Sequence, residues 1–342
     1  ASLDVWRAMM TAPAGPMQAQ RELARELAGA AARSGVPAPG TGALPVLIEP
    51  SPGDKRFADP AWTTNPYFAA LKQGYLLATR ALLETIDATP GLAEPDRRRM
   101  RFFAKQFCDA MSPTNFPFLN PEVIVETVRT GGENLRRGAE NVARDLHENE
   151  GRVSLVDASA FSVGTNLAMT PGKVVYRNEL IELLQFAPTT ADVFARPLVI
   201  VPPWVNKYYV LDLQPSNSFI KYALDAGRTT FVISWRNPGA ELRDRGISDY
   251  VRQGPLTAAR VAAEIAGTDD VDAVGYCIGG TILGIALAYL AQRGTSPIHT
   301  ATFFATLLDF ADPGEIVAFL GDRGLATIDA KMAQQGYLSG RE

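Results

Sequence analysis

Histidine and cysteine are scarce in this sequence, and no stretch of it carries strong charge of one sign. Two histidines and two cysteines occur among 342 residues, so neither a histidine-rich metal site nor a disulfide framework is expected. The net charge is −4 and no lysine or arginine run stands out. Because phosphate binding needs a concentrated basic face, nucleic acid is not an expected partner. A reducing, cytoplasmic setting is the default.

Long apolar runs and nucleotide-binding loops are also missing. The start, ASLDVWRAMM, lacks the layout of a secretory signal. The stretch TILGIALAYLA is shorter than the roughly 20 residues that span a bilayer. Neither G-x-G-x-x-G nor G-x-x-x-x-G-K-[ST] occurs, so no dinucleotide or P-loop site is predicted. We therefore expect no transmembrane segment, no metal and no organic cofactor.

The sequence has an ordinary globular composition, with 46% apolar and 20% charged residues. Residues 17–33 predict an amphipathic helix, and a connector rich in proline and glycine follows it. Residues 60–150 carry apolar side chains at three- and four-residue steps, which is typical of helices. We interpret residues 1–159 as a mainly helical N-terminal domain, partly flexible over residues 1–55.

Strand-like and helix-like segments alternate after residue 160. The β-rich segments are KVVYRN, LVIVPPW, TTFVISW, VDAVGYC and HTATFFATLLDF. Between them lie the helical patterns SNSFIKYALDAG, TAARVAAEIAG and GTILGIALAYLAQRG. Strands that alternate with helices of about 10–15 residues indicate parallel βαβ units. The predicted fold class is α/β, with a doubly wound sheet over residues 160–342 that is incomplete at its C-terminal end.

The segment VDAVGYCIGGT places a cysteine at a sharp turn from a strand into a helix. Its G-x-C-x-G pattern is the nucleophile-elbow layout of α/β hydrolases, with Cys277 where serine usually stands. So tight a turn excludes bulky neighbours, and Gly275, Gly279 and Gly280 meet that need. The start of the next helix favours an anionic sulfur. Cys277 is therefore the predicted catalytic nucleophile.

Two backbone N–H groups are predicted to form an oxyanion hole beside Cys277. The amide of Ile278 directly follows the nucleophile, which is the usual position of one donor. Val205, in the loop after LVIVPPW, is the candidate for the second, since the two prolines before it have no N–H. Asn206 and Asp212, farther along this loop, are predicted to order it by hydrogen bonding.

A packing role for Cys277 is the alternative, because free cysteines are commonly buried and a bare G-x-C-x-G pattern occurs by chance. The strand before the motif, the helix after it and the earlier strand and loop favour catalysis. Cys108, in AKQFCDAM on a predicted helix, has no such setting and is expected to pack.

No histidine stands where the base of this nucleophile is expected. The order in α/β hydrolases is nucleophile, acid, histidine, but His299 comes one helix too soon and His147 precedes the sheet. Both are expected to be structural or surface residues. Asp309 and Asp312 follow a strand and are candidate acids, although turn formation and helix capping explain them as well. The sequence predicts a chain that lacks its catalytic acid and base.

The chain resembles the polyhydroxyalkanoate synthases, especially the class I enzymes that use short-chain hydroxyacyl-CoA. The shared blocks, which run nearly end to end, are RFADPAW, NPYF, DAMSPTNFPFLNPE, GGENLRRG, RPLVIVPPWVNKYYVLDLQPSNS, FVISWRNP, GYCIGGT and TLLDFADPGE. The resemblance implies a helical domain followed by an α/β-hydrolase catalytic domain. It also implies that Cys277 is the catalytic cysteine, that Val205 and Ile278 hold the oxyanion positions, and that the catalytic Asp and His are absent from this chain.

The resemblance also implies an activity. It is an acyltransferase that polymerises (R)-3-hydroxyacyl-CoA into polyester, releasing CoA through an acyl-cysteine, and this fragment alone is expected to be inactive. The implied partners are the growing polyester, a second copy in a homodimer, and the surface and coat proteins of cytoplasmic polyester granules. Two alternatives stay open: a cysteine-nucleophile thioesterase or depolymerase, and a catalytically incomplete granule-associated binding protein.

Overall fold

The computed structural model describes residues 46–149 and 151–339 of the chain. The amphipathic helix predicted over residues 17–33 lies outside this part, as does most of the stretch predicted to be flexible. Along the described chain, a group of helices comes first and a six-stranded sheet with flanking helices follows. The predicted fold class, α/β with a preceding helical region, is confirmed.

The described residues form two compact units. The first comprises residues 46–155 and 313–325, and the second comprises residues 156–312 and 326–339. The sequence placed residues 313–325 in the catalytic domain, whereas in the structure they cluster with the helices. The domain boundary after residue 159 stays a prediction.

The first unit is built from helices, and two of them begin at an Asn-Pro pair. Asn65 accepts a hydrogen bond from the Tyr67 N–H at 3.0 Å, and Asn120 accepts one from the Glu122 N–H at 3.0 Å. Proline then occupies the first helical position, where a backbone N–H would have no helical partner. The helices are α1 (Ala61–Thr64), α2 (Pro66–Asp87), α3 (Glu94–Ala110), α4 (Pro121–Arg129) and α5 (Glu133–Glu148).

Trp62 is the fully buried aromatic residue of this unit, with 0% of its surface exposed. Its ring meets Phe57 edge-on at a centroid distance of 5.0 Å and Phe68 at 5.6 Å. Among the described residues, no acceptor lies within hydrogen-bond distance of its indole Nε1–H. Trp62 therefore stabilises the unit through packing.

Helix α3 carries two further features of the first unit. Cys108 is buried, as expected of a packing cysteine, and burial raises the pKa of its thiol. A 3₁₀ helix, Gly314–Phe319, packs on the same helix. Its Phe319 ring contacts Phe102 and Phe103 edge-on, at centroid distances of 5.3 and 5.9 Å.

The second unit holds the sheet and the helices that flank it. Its strands are β1 (Gly172–Arg177), β2 (Ile181–Phe186), β3 (Phe194–Val201), β4 (Asp212–Gln214), β5 (Asn217–Ser218), β6 (Arg228–Trp235), β7 (Val271–Tyr276) and β8 (Ile298–Phe304). The helices that follow α5 in the described chain are α6 (Phe219–Asp225), α7 (Ile247–Val251), α8 (Thr257–Ala266), α9 (Ile278–Arg293) and α10 (Asp322–Gln335).

Six strands form one sheet in the order β1-β2-β6-β3-β7-β8, and β4 pairs with β5 separately. Strands β6, β3, β7 and β8 run parallel, and β2 is antiparallel to both of its neighbours. This order and these directions are those of an α/β-hydrolase sheet. The carboxyl ends of the four parallel strands therefore share one edge, where such sheets place their sites.

Alternate residues of the central strands pack on opposite faces of the sheet. Val199 and Val201 of β3 join the apolar cluster that α8 and α9 cover, while Ile200 joins the cluster that α6 covers. A strand that is buried on both faces must be apolar throughout. This explains the uninterrupted apolar run LVIV in the sequence.

Strand β8 is shorter than the segment HTATFFATLLDF predicts. It ends at Phe304, and the next residue, Ala305, has a φ of 46°. This left-handed conformation is not compatible with a continuing strand. Within the part of the chain that the structure describes, β8 pairs with β7 on one side, and its other side is an edge of the sheet.

Asp212 is a buried carboxylate in the second unit, with 2% of its surface exposed. It accepts hydrogen bonds from the Thr170 and Ser218 hydroxyls, each at 2.6 Å, and from the Thr170 N–H at 3.2 Å. Ser218 also accepts a bond from the Lys221 N–H at 2.9 Å and so caps α6. One carboxylate thus joins the segment before β1 to β4 and to the start of α6.

Trp62→Ala is expected to lower the free energy of unfolding by about 3–5 kcal/mol, because it removes a large buried ring. Trp62→Phe should cost far less, since an aromatic ring remains and the indole N–H has no described acceptor to lose. Urea unfolding followed by far-UV circular dichroism measures both variants. An equal decrease in the free energy of unfolding in the two variants would contradict a role in packing alone.

Asp212→Asn is expected to destabilise the second unit by about 1.5–3 kcal/mol, because two hydroxyls lose a charged acceptor. Asp309→Asn is the matched control, since Asp309 is exposed. Thermal melting should separate the two variants. If D212N has the same melting temperature as the wild-type chain, the buried network does not hold these segments together.

Candidate active site

Cys277 occupies the turn between β7 and α9. Its φ of 54° and ψ of −128° form a strained combination for a residue with a side chain. Its N–H donates to the Phe304 carbonyl at 2.8 Å, and its own carbonyl accepts from the Gly280 N–H at 2.9 Å. The residue is exposed. The chain therefore has the strand-turn-helix geometry of a nucleophile elbow, with its cysteine open to solvent at the carboxyl edge of the sheet.

The three glycines of the motif are required by close packing. A Cβ atom on Gly275 would lie 3.0 Å from the Gly280 nitrogen, and one on Gly279 would lie 2.6 Å from the Pro202 carbonyl carbon. A Cβ atom on Gly280 would lie 2.7 Å from Cγ2 of Thr306. These separations are shorter than ordinary van der Waals contact. The start of α9 can reach the sheet only where these side chains are missing.

The loop after β3 leaves the same edge of the sheet beside the elbow. Val201 pairs in register with Gly275, so the loop and the turn begin side by side. The carbonyl of Pro202 accepts a buried hydrogen bond from Nε1 of Trp235 at 2.7 Å. This bond fixes the start of the loop against the end of β6, in contact with the first turn of α9.

The amides of Ile278 and Val205 donate no hydrogen bond to any described residue. Ile278 is the first residue of α9, and the first N–H groups of a helix have no partner within the helix. Val205 lies in an exposed turn, with 70% of its surface accessible. Both N–H groups are free to meet a ligand oxygen, and both remain predicted oxyanion donors.

The two residues predicted to order this loop have different contacts. Asn206 is exposed, and its backbone N–H closes a turn by donating to the Pro203 carbonyl at 3.3 Å. Asp212 acts through the buried carboxylate network described above. Neither contact involves Cys277, and the ordering role of the two residues stays a prediction.

His299 lies at the opposite edge of the sheet from Cys277. It stands near the start of β8, which pairs with the start of β7, and its Nδ1 is 3.5 Å from Oδ2 of Asp270. The elbow follows the far end of β7, roughly 20 Å along a six-residue strand. His147 lies exposed on α5 of the first unit.

Asp309 has the contact expected of a turn residue. Its carboxylate accepts the Ala311 N–H at 2.9 Å, two residues along the chain, and its side chain is exposed. This is an Asx turn, the geometry that the turn interpretation predicts.

The end of β8 and the residues just after it contact the elbow, although only Asp309 and Asp312 of this stretch were named as candidate site residues. The Phe304 carbonyl accepts the Cys277 N–H, and the Thr306 side chain packs against Gly280. Thr306 begins the shared block TLLDFADPGE, but no local pattern indicates that Phe304 or Thr306 lies at the elbow. The pairing of β8 with β7 brings them to the elbow from almost 30 residues away in the chain.

A polar cavity of about 560 Å³ opens at the same edge of the sheet, around the end of β1 and the end of β6. Three cationic side chains line it, from Arg177, Lys207 and Arg236, together with the carboxylate of Glu182. Lys207 follows Val205 by two residues. The edge that carries Cys277 therefore also carries positive charge.

The described residues contain no group of three or more His, Cys, Asp or Glu side chains arranged to hold a metal ion. The same residues contain no helix that is both long and apolar enough to cross a bilayer.

Solved structures that match part of the chain include hydrolases of low sequence identity. An alpha/beta hydrolase from Novosphingobium aromaticivorans is 13% identical, with a TM-score of 0.26 over 40% of this chain and 44% of that one. Esterase B from Lactobacillus rhamnosis is 14% identical, with a TM-score of 0.30 over 62% of this chain and 68% of that one.

Sequence comparisons give a closer relationship. A poly(3-hydroxyalkanoate) polymerase of Methylorubrum extorquens is 42% identical over 96% of this chain and 54% of its own length. The PhaC subunit of the Cupriavidus necator polymerase is 45% identical over 79% of this chain and 45% of its own length. The chain thus spans about half the length of these relatives.

A family model points the same way. The model described as "Poly-beta-hydroxybutyrate polymerase (PhaC) N-terminus" matches residues 53–223, which is half of the chain. The matched residues include the loop after β3 that lies beside the elbow. With this match, the two relatives and the α/β-hydrolase sheet in agreement, the chain belongs to the poly-beta-hydroxybutyrate polymerase (PhaC) family.

Proposed function

We propose that this chain carries the nucleophile of a polymerase that joins (R)-3-hydroxyacyl units from CoA thioesters into polyester. The observation that carries the proposal is the exposed Cys277 at a strand-turn-helix elbow in a member of the PhaC family. Relatives that match most of this chain are named poly(3-hydroxyalkanoate) polymerases. The activity belongs to the whole protein.

In the first step, the Cys277 thiolate attacks the carbonyl carbon of the CoA thioester. The N–H groups of Ile278 and Val205 stabilise the oxyanion that forms. The carbon–sulfur bond to CoA then breaks, and CoA leaves with the electron pair and takes up a proton. One thioester replaces another, so the step is nearly thermoneutral and reversible. A serine would instead form a more stable oxyester, and the acyl transfer would no longer be close to thermoneutral.

In the second step, the hydroxyl of a 3-hydroxyacyl unit attacks the acyl-cysteine. An ester bond forms, the thioester bond breaks, and the Cys277 thiol is restored. A general base must lie within hydrogen-bond reach of the proton it removes. His299 does not, because it lies at the other edge of the sheet. We therefore assign the acid and the base to residues outside this chain, and expect the chain alone to lack polymerase activity.

The positive charge at the carboxyl edge of the sheet favours the binding of a CoA thioester, which carries phosphate groups. Arg177 and Arg236 are ion-paired with Glu182 and Glu241, so the net positive charge at the cavity comes from Lys207. Cationic side chains bind the phosphate groups of such a substrate.

The two steps above use neither a metal nor an organic cofactor, so EDTA should not reduce the rate of CoA release.

We also propose a homodimer that works at the surface of cytoplasmic polyester granules, together with granule-coat proteins. The helical unit has exposed apolar side chains that an apolar polymer surface would cover, for example Val128 on α4 and Leu146 on α5, which are 80% and 65% exposed.

Two other functions would use parts of the same structure. A cysteine-nucleophile thioesterase or depolymerase would use the elbow, with water in place of the second hydroxyl. A granule-associated binding protein would use the exposed helices and no chemistry. Membership of the PhaC family favours the polymerase over both.

In the protein as encoded, 3-hydroxybutyryl-CoA should yield free CoA and polyester. Cys277→Ala should lower the rate of CoA release by on the order of a thousandfold or more, because the nucleophile is lost. Cys108→Ala is the matched control and should keep the wild-type rate per folded molecule. Free hydroxy acid without polymer would favour the hydrolase, and granule binding without Cys277-dependent acylation would favour the binding protein.

The two thiols of the chain should differ in reactivity, because the thiolate is the reacting species and burial raises the pKa of Cys108. Iodoacetamide at neutral pH should modify the exposed Cys277 in the folded chain, and Cys108 only after denaturation. Peptide mass spectrometry measures both. Protection of Cys277 in the folded chain would remove the basis of the proposed mechanism.

A further inference from the structure

The last residue of β8 and the residues just after it hold both sides of the Cys277 turn. On the strand side, the Phe304 carbonyl accepts the Cys277 N–H at 2.8 Å. On the helix side, the hydroxyl of Thr281, in the first turn of α9, donates to the Leu307 carbonyl at 2.8 Å. The turn is therefore fixed from outside its own motif, by a segment of neighbouring chain.

Thr306 lies at the centre of this segment. Its Oγ1 is 3.1 Å from the Phe304 carbonyl oxygen and 3.4 Å from the Gly275 carbonyl oxygen. The first of these carbonyls also accepts the Cys277 N–H, and the second belongs to the strand that leads into the turn. The single hydroxyl hydrogen of Thr306 is thus shared between two backbone carbonyls. That of Gly275 precedes the cysteine in the chain, and that of Phe304 faces the cysteine N–H.

The backbone directs Thr306 to this position. Ala305, with a φ of 46°, turns the chain back towards the elbow as soon as β8 ends. The absence of a side chain on Gly280 then leaves space for the threonine, whose Oγ1 and Cγ2 atoms both lie too close to the place where a Cβ would stand. Thr306 is half-buried there. Its hydroxyl bonds to the two carbonyls, and its methyl group packs beside Gly280.

The geometry points to Thr306 as a positioning residue for Cys277. Its hydroxyl holds the Phe304 and Gly275 carbonyls in place, and its methyl group packs against the first turn of α9. Together they keep Cys277 in its strained conformation and its sulfur in one direction. The inference rests on the proposed function, because positioning matters to the reaction only if Cys277 is the nucleophile.

Three substitutions separate the hydroxyl from the shape of the side chain. Thr306→Val keeps the shape and loses the hydroxyl, and Thr306→Ser keeps the hydroxyl and loses the methyl group. Thr302→Val is the matched control, since Thr302 is an exposed residue of β8, two residues before Phe304. In the protein as encoded, T306V should lower kcat for CoA release by about three- to tenfold, the value of one net hydrogen bond.

The split between kinetic constants distinguishes positioning from loss of fold. T306V should leave KM within about twofold of the wild-type value, because the substrate contacts are untouched. T306S should restore most of kcat, and T302V should behave as the wild type. Thr306→Ala, which also removes the hydroxyl, replaces T306V if that variant fails to fold. A wild-type kcat in the valine or alanine variant would overturn the inference.

A second measurement needs no substrate. In the folded chain, T306V should slow the alkylation of Cys277 by iodoacetamide by about three- to tenfold, because the loosened turn no longer holds the sulfur at the start of α9. T306S keeps the hydroxyl and should leave the alkylation rate unchanged. If alkylation responds but Cys277→Ala leaves CoA release unchanged, the proposed function fails and the positioning role stands. If alkylation proceeds at the wild-type rate in T306V, the positioning role fails.

Discussion

The first turn of α9 approaches the sheet so closely that no methyl group fits at three positions of one short motif. Gly279 lies against the Pro202 carbonyl, and Gly275 and Gly280 lie against each other. This close approach forces the chain to reverse direction within one residue, and that residue is Cys277. The location of the thiol, its exposure and the contact of α9 with the loop after β3 all depend on this packing.

A strained residue persists only when its surroundings stabilise it by more than the strain costs, which is on the order of 1–3 kcal/mol. Here the stabilisation comes from three directions. The Phe304 carbonyl holds the Cys277 N–H, the buried Trp235–Pro202 bond fixes the adjoining loop, and the apolar clusters on both faces hold the strands. The site is thus a property of the whole sheet.

The elbow could be predicted from the sequence because its causes are local. A strand, a glycine-flanked cysteine and a helix follow one another within about 20 residues of VDAVGYCIGGTILGIALAYL. Strands β3 and β6 were predictable from a local pattern too, since strands buried on both faces form apolar runs. The alternation of helices and strands then indicated the α/β fold.

The remaining features depend on contacts that no local pattern encodes. Strand β2, IELLQF, was not predicted, because Glu, Leu and Gln favour helices and only pairing with β1 and β6 makes the segment extended. Thr306 was missed because it reaches the elbow through the β7–β8 pairing. The end of β8 was placed too late, since the left-handed Ala305 interrupts an apolar run that looks continuous.

Strand β8, the outermost strand on its side of the described sheet, has a further consequence for solution behaviour. Its outward-facing backbone N–H and C=O groups form a template on which another strand can add, and the nearby Phe303 and Phe304 are more than one third exposed. An uncapped template of this kind promotes self-association. In the part of the chain that the structure describes, a strand of a second molecule can therefore add at β8.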